Sequence, residues 1–374
     1  MQRVLVLISA LVVACSAAFS AHPGPPPQVS QRGGVESASR TLDIYWVDVE
    51  GGAATLVVAP SGESMLVDTG FETGARDARR IFAAAQKAGL EQLDHVVISH
   101  YHGDHVGGLA ALSKMIPIER VYSRGDNISV PADQQWYESM RAVSAGKRTI
   151  VKPGDKIPMK GVDVLVVASD HQMLPAPVNG GGPNTLCATA EQKAPAGFEN
   201  QAGVGVLLTY NRFTFLDLID MDWATELELV CPVNKVGAVT LFQSNRHGAW
   251  NGAGAPAFLN AIRPQVLVFN NGPRKGLGQV QETKTTTPPG VKVPPYQQIH
   301  YLRAAAIPGI EGIWQGHLSL ADKDPKHNTS PEMIANLEET AECQGHFIKA
   351  SVDSTGQFTV MNGRNGFSRS YKAR

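Results

Sequence analysis

Hydrophobic and polar positions along the chain fall into short apolar or alternating runs, separated by turn residues and by a few stretches of helical period. Residues 41–49 (TLDIYWVDV) and 54–59 are β-rich runs flanking Gly51-Gly52, which reads as a hairpin. Residues 64–68 (SMLVD) predict a third strand ending at Asp68-Thr69-Gly70. Over 76–88, Ile81, Ala84, Ala85 and Ala88 share one helical face, with Gly89 as the stop. Residues 93–99 (LDHVVIS) read as a buried strand, 109–115 as a short helix and 119–122 as a strand. Further on, the pattern predicts helices over 134–145, 223–230, 256–262 and 333–340, and strands over 162–168, 204–210, 213–218, 236–242, 265–269, 347–352 and 357–361. The connection 171–200 has the length of a segment that lies over a functional site, and 273–298 reads as an exposed excursion. Two similar halves of mixed β and α would pack as two sheets face to face, with helices outside.

The first residues break this pattern. Residues 1–21 read as an export signal: Arg3, an apolar run over 4–14 interrupted by Ser9, then Ser16, Ala17, Ala18 and Ser20. That run is far shorter than the roughly 20 residues that span a bilayer, so no transmembrane helix is expected. Residues 12–15 (VVAC) resemble a bacterial lipobox, which would place a lipid anchor on Cys15; the alternative is cleavage near Ser20 or Ala21. Residues 22–40 are expected to be a flexible lead-in, and 41–374 the folded domain with a C-terminal extension. The expected location is periplasmic or secreted. Of the 4 cysteines, Cys187, Cys231 and Cys343 remain in the mature chain. Export permits a disulfide, and spacing does not choose the pair.

Composition narrows the classes. With 43% hydrophobic and 18% charged residues the chain can bury a core, and a net charge of −1 gives no strong nucleic-acid footprint. The sequence has no phosphate-binding loop, no GxSxG elbow and no dinucleotide fingerprint.

The chemistry concentrates in 97–109 (VISHYHGDHVGGL), which carries His100, His102, Asp104 and His105 just past a buried strand. In extended backbone His100 and His102 point the same way, and Gly103 lets the chain bend before Asp104 and His105. Imidazole nitrogens and carboxylate oxygens are normal zinc ligands. The competing interpretation is a surface loop that happens to be rich in histidine.

This HxHxDH run, preceded by a strand ending in Asp-Thr-Gly, resembles the metallo-β-lactamase fold superfamily over roughly 41–269. The resemblance implies an α+β fold, a four-layer αββα sandwich with metal at one sheet edge. Residues 46–54 (WVDVEGGAA) and the second hairpin resemble the DNA-uptake ComEC-like branch and its small secreted relatives. The turn Glu50-Gly51-Gly52-Ala53 lacks the Asp of that branch, a departure that counts against a nuclease. The resemblance also implies an Asp ligand within 215–226 (FLDLIDMDWATE). Register favours Asp220, with Asp217 and Asp222 as rivals and Ile219 where a Gly is usual. It implies a last ligand at His247 in 244–248 (SNRHG), where Arg246 takes the place of a first His and bears on whether a second ion is held. Asp68 matches an Asp that orients a ligand histidine from behind. A further family histidine has no clear match: His171 is a weak candidate, and Asn200 is expected to shape the site. Arg274-Lys275 is a candidate to meet an anionic substrate, with a solvated loop as the favoured alternative. His317, His327 and His346 read as packed or pocket-lining.

The expectation is therefore an exported metallo-hydrolase with zinc, one or two ions per chain, or another divalent metal. His100 and His102 would hold the first ion, and Asp104, His105 and His247 the second, with Asp220 bridging. Asp104 is the catalytic candidate, orienting the water. A metal-bound hydroxide would attack an ester-type bond of a small-molecule or phosphodiester substrate, phosphodiester ahead of lactone or β-lactam. The alternative is a non-catalytic exported binding module on a degenerate scaffold, motivated by Arg246, Ile219 and the absent turn Asp.

Overall fold

The computed structural model describes residues 41–281, 285–286 and 299–374. The export signal, the lead-in, the lipid-anchor position Cys15 and most of the 273–298 excursion lie outside the described residues.

Two nine-stranded sheets form the centre. The first runs Ser368–Lys372, Gln357–Asn362, Ile348–Val352, Leu42–Trp46, Thr55–Val58, Ser64–Val67, Leu93–Ile98, Ile118–Ser123 and Arg148–Ile150. The second runs Ile334–Asn336, Gly312–His317, Val266–Phe269, Leu241–Gln243, Phe213–Asp217, Gly205–Tyr210, Val162–Ser169 and Lys156–Met159, with Gln172–Met173 off its path. From Ser64–Val67 onward the first sheet is parallel, and so is the second from Phe213–Asp217 to Ile334–Asn336. Parallel strands are covered on both faces, which is why LDHVVI and VLVF carry near-continuous apolar residues.

Three buried clusters account for the layers. Ile44, Val57, Val67, Val164, Leu208, Phe215 and Val268 fill the space between the sheets. The helices Trp223–Val230 and Pro256–Ile262 pack on the outer face of the second sheet through Leu227, Phe258 and Leu259. Arg76–Lys87 and Gln134–Val143 cover the first through Ile81, Ala85 and Met140. The order is αββα, an α+β sandwich. Among the described residues no helix is long and apolar enough to cross a membrane.

Several elements differ from expectation for identifiable reasons. The helix predicted over 333–340 is instead the strand Ile334–Asn336, because it pairs with the exposed edge of Gly312–His317 and buries Ile334 and Ala335. The strand predicted over 236–242 begins only at Leu241, since Asn234 Oδ1 accepts from the backbone N–H groups of Val236 and Gly237 and holds a turn there. The first strand stops at Trp46. The strands Lys156–Met159, Gly312–His317 and Ser368–Lys372 and the helix His300–Ala305 were not legible from periodicity. The C-terminal segment is built into the first sheet, with Ile348–Val352 paired to Leu42–Trp46. Cys187 is bonded to Cys231, and Cys343 is free.

Candidate metal centre

Strand ends deliver the site. His100 follows Leu93–Ile98 of the first sheet, and the short helix Gly103–Val106 carries Asp104 and His105. Asp220 follows Phe213–Asp217 of the second sheet, and His247 lies in the turn Asn245–Gly248 after Leu241–Gln243. Close backbone approach sets the first group. Gly108 has Thr69 O 2.0 Å from where a Cβ would sit, and Gly52 has Asp104 O at 2.6 Å, so both must be glycine.

Asp104, His105, Asp220 and His247 each offer one ligand atom within 4.8 Å of the others, and all four are buried. His105 Nε2 lies 3.3 Å from Asp104 Oδ2 and 3.6 Å from Asp220 Oδ2. His247 Nε2 lies 3.1 Å from Asp220 Oδ1 and 3.4 Å from Asp104 Oδ2. His105 Nε2, His247 Nε2 and Asp220 Oδ1 are buried and make no properly directed hydrogen bond. Such atoms are costly unless something else satisfies them. Two imidazoles and two carboxylates form a donor set suited to a divalent transition metal, so this group fits an ion.

Charge in the group is strongly coupled. Burial pushes the Asp104 carboxyl up, but the His105 imidazole and the Lys275 ammonium outweigh it and hold it well below the usual carboxylate range. Asp220 is likewise pushed up by burial and held well below by His247 and His105. Burial pushes His105 down, while Asp104, Asp220 and Asp68 carry it well above the usual imidazole range. His100 is held well below that range by burial and by the neighbouring imidazoles.

The supporting contacts explain the orientations. Asp68 Oδ2 lies 2.6 Å from His105 Nδ1, and Asp68 also accepts from the Ser99 amide and hydroxyl at 2.8 and 2.6 Å. Ser99 Oγ is 2.9 Å from His100 Nδ1. Glu226 accepts from Asn245 Nδ2, Gly254 N and Ala255 N at 2.8, 2.8 and 2.7 Å, anchoring the turn that carries His247. Burial, opposed by those hydrogen bonds, raises the Glu226 carboxyl to about 7. Beneath the site Thr55 Oγ1 donates to Gln243 Oε1 at 2.7 Å, and Gln243 Nε2 to Asp217 Oδ1 at 2.9 Å, linking the two sheets.

Those contacts separate the three acids of 215–226. Asp217 faces Gln243 and the Ile219 amide, and Asp222 caps the following helix through Thr225 N at 2.9 Å; only Asp220 joins the cluster. Ile219, where Gly is usual, adopts a left-handed φ of 54°, a strained conformation for a β-branched residue.

His100 and His102 lie to one side. His100 Nε2 faces His102 Nδ1 at 2.9 Å. Asn200, in the short helix Phe198–Gln201, stands beside them with Arg246 behind it. Sequence reasoning missed the pair that places this helix: Arg124 Nη2 meets Glu199 Oε1 and Oε2 at 2.7 and 2.5 Å, and Glu199 Oε1 accepts from Tyr101 N at 2.7 Å. Its only trace in the sequence is a charged pair 75 residues apart, which no local pattern marks. Lys275 corrects the solvated-loop expectation: its ammonium contacts Asp104 Oδ2 and lies 5.0 Å from the Phe71 ring centroid. Arg274 fits that expectation better, exposed and paired with Glu339. His171 is exposed against Phe198, His317 is paired with Asp48, and His327 with Asp322, all outside the cluster.

Residues 47–191 match the model of the metallo-beta-lactamase superfamily. The chain is 35% identical over 77 residues to hydroxyacylglutathione hydrolase of Xanthomonas euvesicatoria pv. vesicatoria (strain 85-10), which is 21% of this chain and 27% of that protein. It is 29% identical over 119 residues to ribonuclease Z of Methanopyrus kandleri, 31% of this chain and 39% of that protein. The matches thus span well under half the length of these curated relatives. Among solved structures, the metallo-beta-lactamase fold protein YhfI from Bacillus subtilis is similar at 12% identity and a TM-score of 0.43, over 73% of this chain and 96% of that one. The αββα order and the match over 47–191 give the sandwich the metallo-β-lactamase fold.

Proposed function

We propose that this chain is an exported metal-dependent hydrolase acting on an ester-type bond, with zinc or another divalent metal held by Asp104, His105, Asp220 and His247. The observation that carries the reading is the convergence of four buried donors, three of their atoms without directed hydrogen bonds, at the ends of strands from both sheets. A bound ion would lower the pKa of its water toward about 7 and polarise the scissile group. Asp104, at the mouth of the group and in contact with Lys275, is placed to orient that water. His105 is kept in one tautomer by Asp68, which keeps Nε2 free for the ion.

Two cationic side chains, Arg246 and Lys275, flank the donors. Fixed positive charge favours an anionic scissile group, which ranks a phosphodiester ahead of a lactone or a β-lactam. The Cys187–Cys231 disulfide supports an oxidising, extracytoplasmic destination. The resemblance of residues 46–54 to the ComEC-like branch supports the same order, phosphodiester or other ester first.

The test is metal analysis of purified protein together with a panel of chromogenic phosphodiester, lactone and β-lactam substrates, with and without chelator. Chelator-sensitive hydrolysis, lost in a folded Asp104→Asn variant, is expected. Less than a tenth of an equivalent of transition metal after reconstitution would end the proposal. The second reading, a non-catalytic binding module, is favoured by Arg246 standing where a ligand is expected; it predicts that Asp104→Asn leaves partner binding intact.

A further inference from the structure

His100 and His102 present two imidazole nitrogens to one another, and the third place beside them is taken by Asn200. Only one orientation of that amide satisfies both of its neighbours. Nδ2 then donates to His102 Nδ1 at 3.0 Å, and Oδ1 accepts from Arg246 Nη1 at 2.6 Å and Nη2 at 3.3 Å. The oxygen that would ligate a cation is therefore committed to a guanidinium, and an amide N–H is set against His102 Nδ1, the nitrogen that also faces His100 Nε2.

Arg246 is fixed in that place. Its backbone is left-handed, at φ 49° and ψ 40°, and its N–H donates to Ile219 O at 2.8 Å. The neighbouring Gly252 leaves room for the side chain, since a Cβ there would come 3.3 Å from Arg246 Nε. A guanidinium stays charged at every working pH. Its Nε is buried without a hydrogen-bond acceptor, beside Gly252. On the other side of the centre, Asp104, His105, Asp220 and His247 form a complete donor set with two carboxylates.

We infer that the centre holds a single ion, in the Asp104, His105, Asp220 and His247 group, and that Arg246, braced by Asn200, replaces a second ion beside His100 and His102 and receives an oxyanion of the substrate. This rests on the metal-dependent reading above and deepens it. The substrate class is an ester whose negatively charged oxygen sits beside the scissile bond, as in a phosphodiester. The guanidinium supplies fixed positive charge where a second ion would otherwise supply it, and its N–H groups give the oxyanion a direction.

The experiment counts metal by elemental analysis after loading with zinc and exhaustive dialysis. The wild-type chain should hold one equivalent. His102→Ala should retain it, and Asp220→Ala should lose it. The double variant Asn200→His with Arg246→His should rise toward two. Two equivalents in the wild type would overturn the inference and leave the hydrolase reading standing; none would remove that reading and the inference with it. A folded double variant that stays at one equivalent, or retention by Asp220→Ala with loss by His102→Ala, also overturns it. The wild-type count decides even if the double variant fails to fold. For the oxyanion, inorganic phosphate binding to the zinc-loaded protein, followed by calorimetry, should weaken at least tenfold in Arg246→Ala. Unchanged phosphate affinity would overturn that half.

Discussion

Asp68 and His105 are both fully buried, and their side chains meet at 2.6 Å between Oδ2 and Nδ1. This contact turns Nε2 toward Asp104 and Asp220. Removing the carboxylate by Asp68→Ala should loosen the imidazole and lower zinc affinity by about 10–100-fold. Competition against a chromogenic chelator measures this, and an affinity equal to wild type would show that His105 is oriented by something else.

The pair of Glu199 and Arg124 predicts a stability effect. Both side chains are buried, and the pair ties the helix of Asn200 to the loop of His100. Glu199→Ala leaves the buried guanidinium with only the more distant Asp170 carboxylate, at 3.7 Å, and should destabilise the fold by roughly 3 kcal/mol. Replacing both partners by apolar residues should cost less than replacing either one, because no lone charge remains. Denaturant unfolding of the three variants checks the order.

Lys275 contacts Asp104 with a side chain that is 38% exposed. An ammonium there opposes a divalent ion, and solvent screens part of the repulsion. Lys275→Met should tighten zinc binding by about tenfold, the equivalent of ~1.4 kcal/mol. The same substitution should reduce turnover of anionic esters more than of neutral ones. Weaker zinc binding in the variant would mean that Lys275 supports the site rather than competing for it.

His317 gives a pH dependence. Burial alone would lower its pKa, but hydrogen bonds with Asp48 and Cys343, together with the Asp48 charge, raise it to about 9. Asp48 is also paired with Arg80, at 3.2 Å. A folded-state pKa above the unfolded value of about 6.5 gives a contribution fully present below pH ~6.5 and lost as pH rises through about 9. Its ceiling is on the order of 3 kcal/mol. Melting temperatures of wild type and His317→Asn, compared at pH 6 and pH 10, should converge at the higher pH. A constant difference across that range would rule the linkage out.

What the sequence made legible follows distance along the chain. Local pattern reads what lies together along the chain: His100, His102, Asp104 and His105 lie within one turn-and-helix segment, and the helix Pro256–Ile262 has the predicted bounds. Asp220 and His247 could be named by motif register, but their closeness to Asp104 depends on the order of strands in a second sheet. Local pattern failed where tertiary pairing decides. Ile334–Asn336 became a strand because an edge was open, and Ser368–Lys372, mostly polar and exposed, had no alternation strong enough to mark it. The brace of Asn200 and Arg246 joins residues far apart in sequence, and although Arg246 stands in the 244–248 motif, nothing local to that motif points to Asn200. The occupancy question raised by Arg246 concerned the ion of Asp104, His105 and His247. In the folded chain those three residues stand together with Asp220, and beside His100 and His102 the neighbouring side chain is the amide of Asn200.

The donors come from two sheets, and their spacing is as fine as the sheets' own repeat. A strand advances about 3.3 Å per residue, while His247 and Asp104 stand 3.4 Å apart. A slip of one residue between the sheets would scatter the group. Sheet alignment rests on contacts such as the edge-on packing of Trp46 against Phe215, with ring centroids at 5.6 Å. The centre is therefore a gauge of interior alignment: a misfit deep in the sandwich would register at the rim as a scattered donor group before the fold itself gives way.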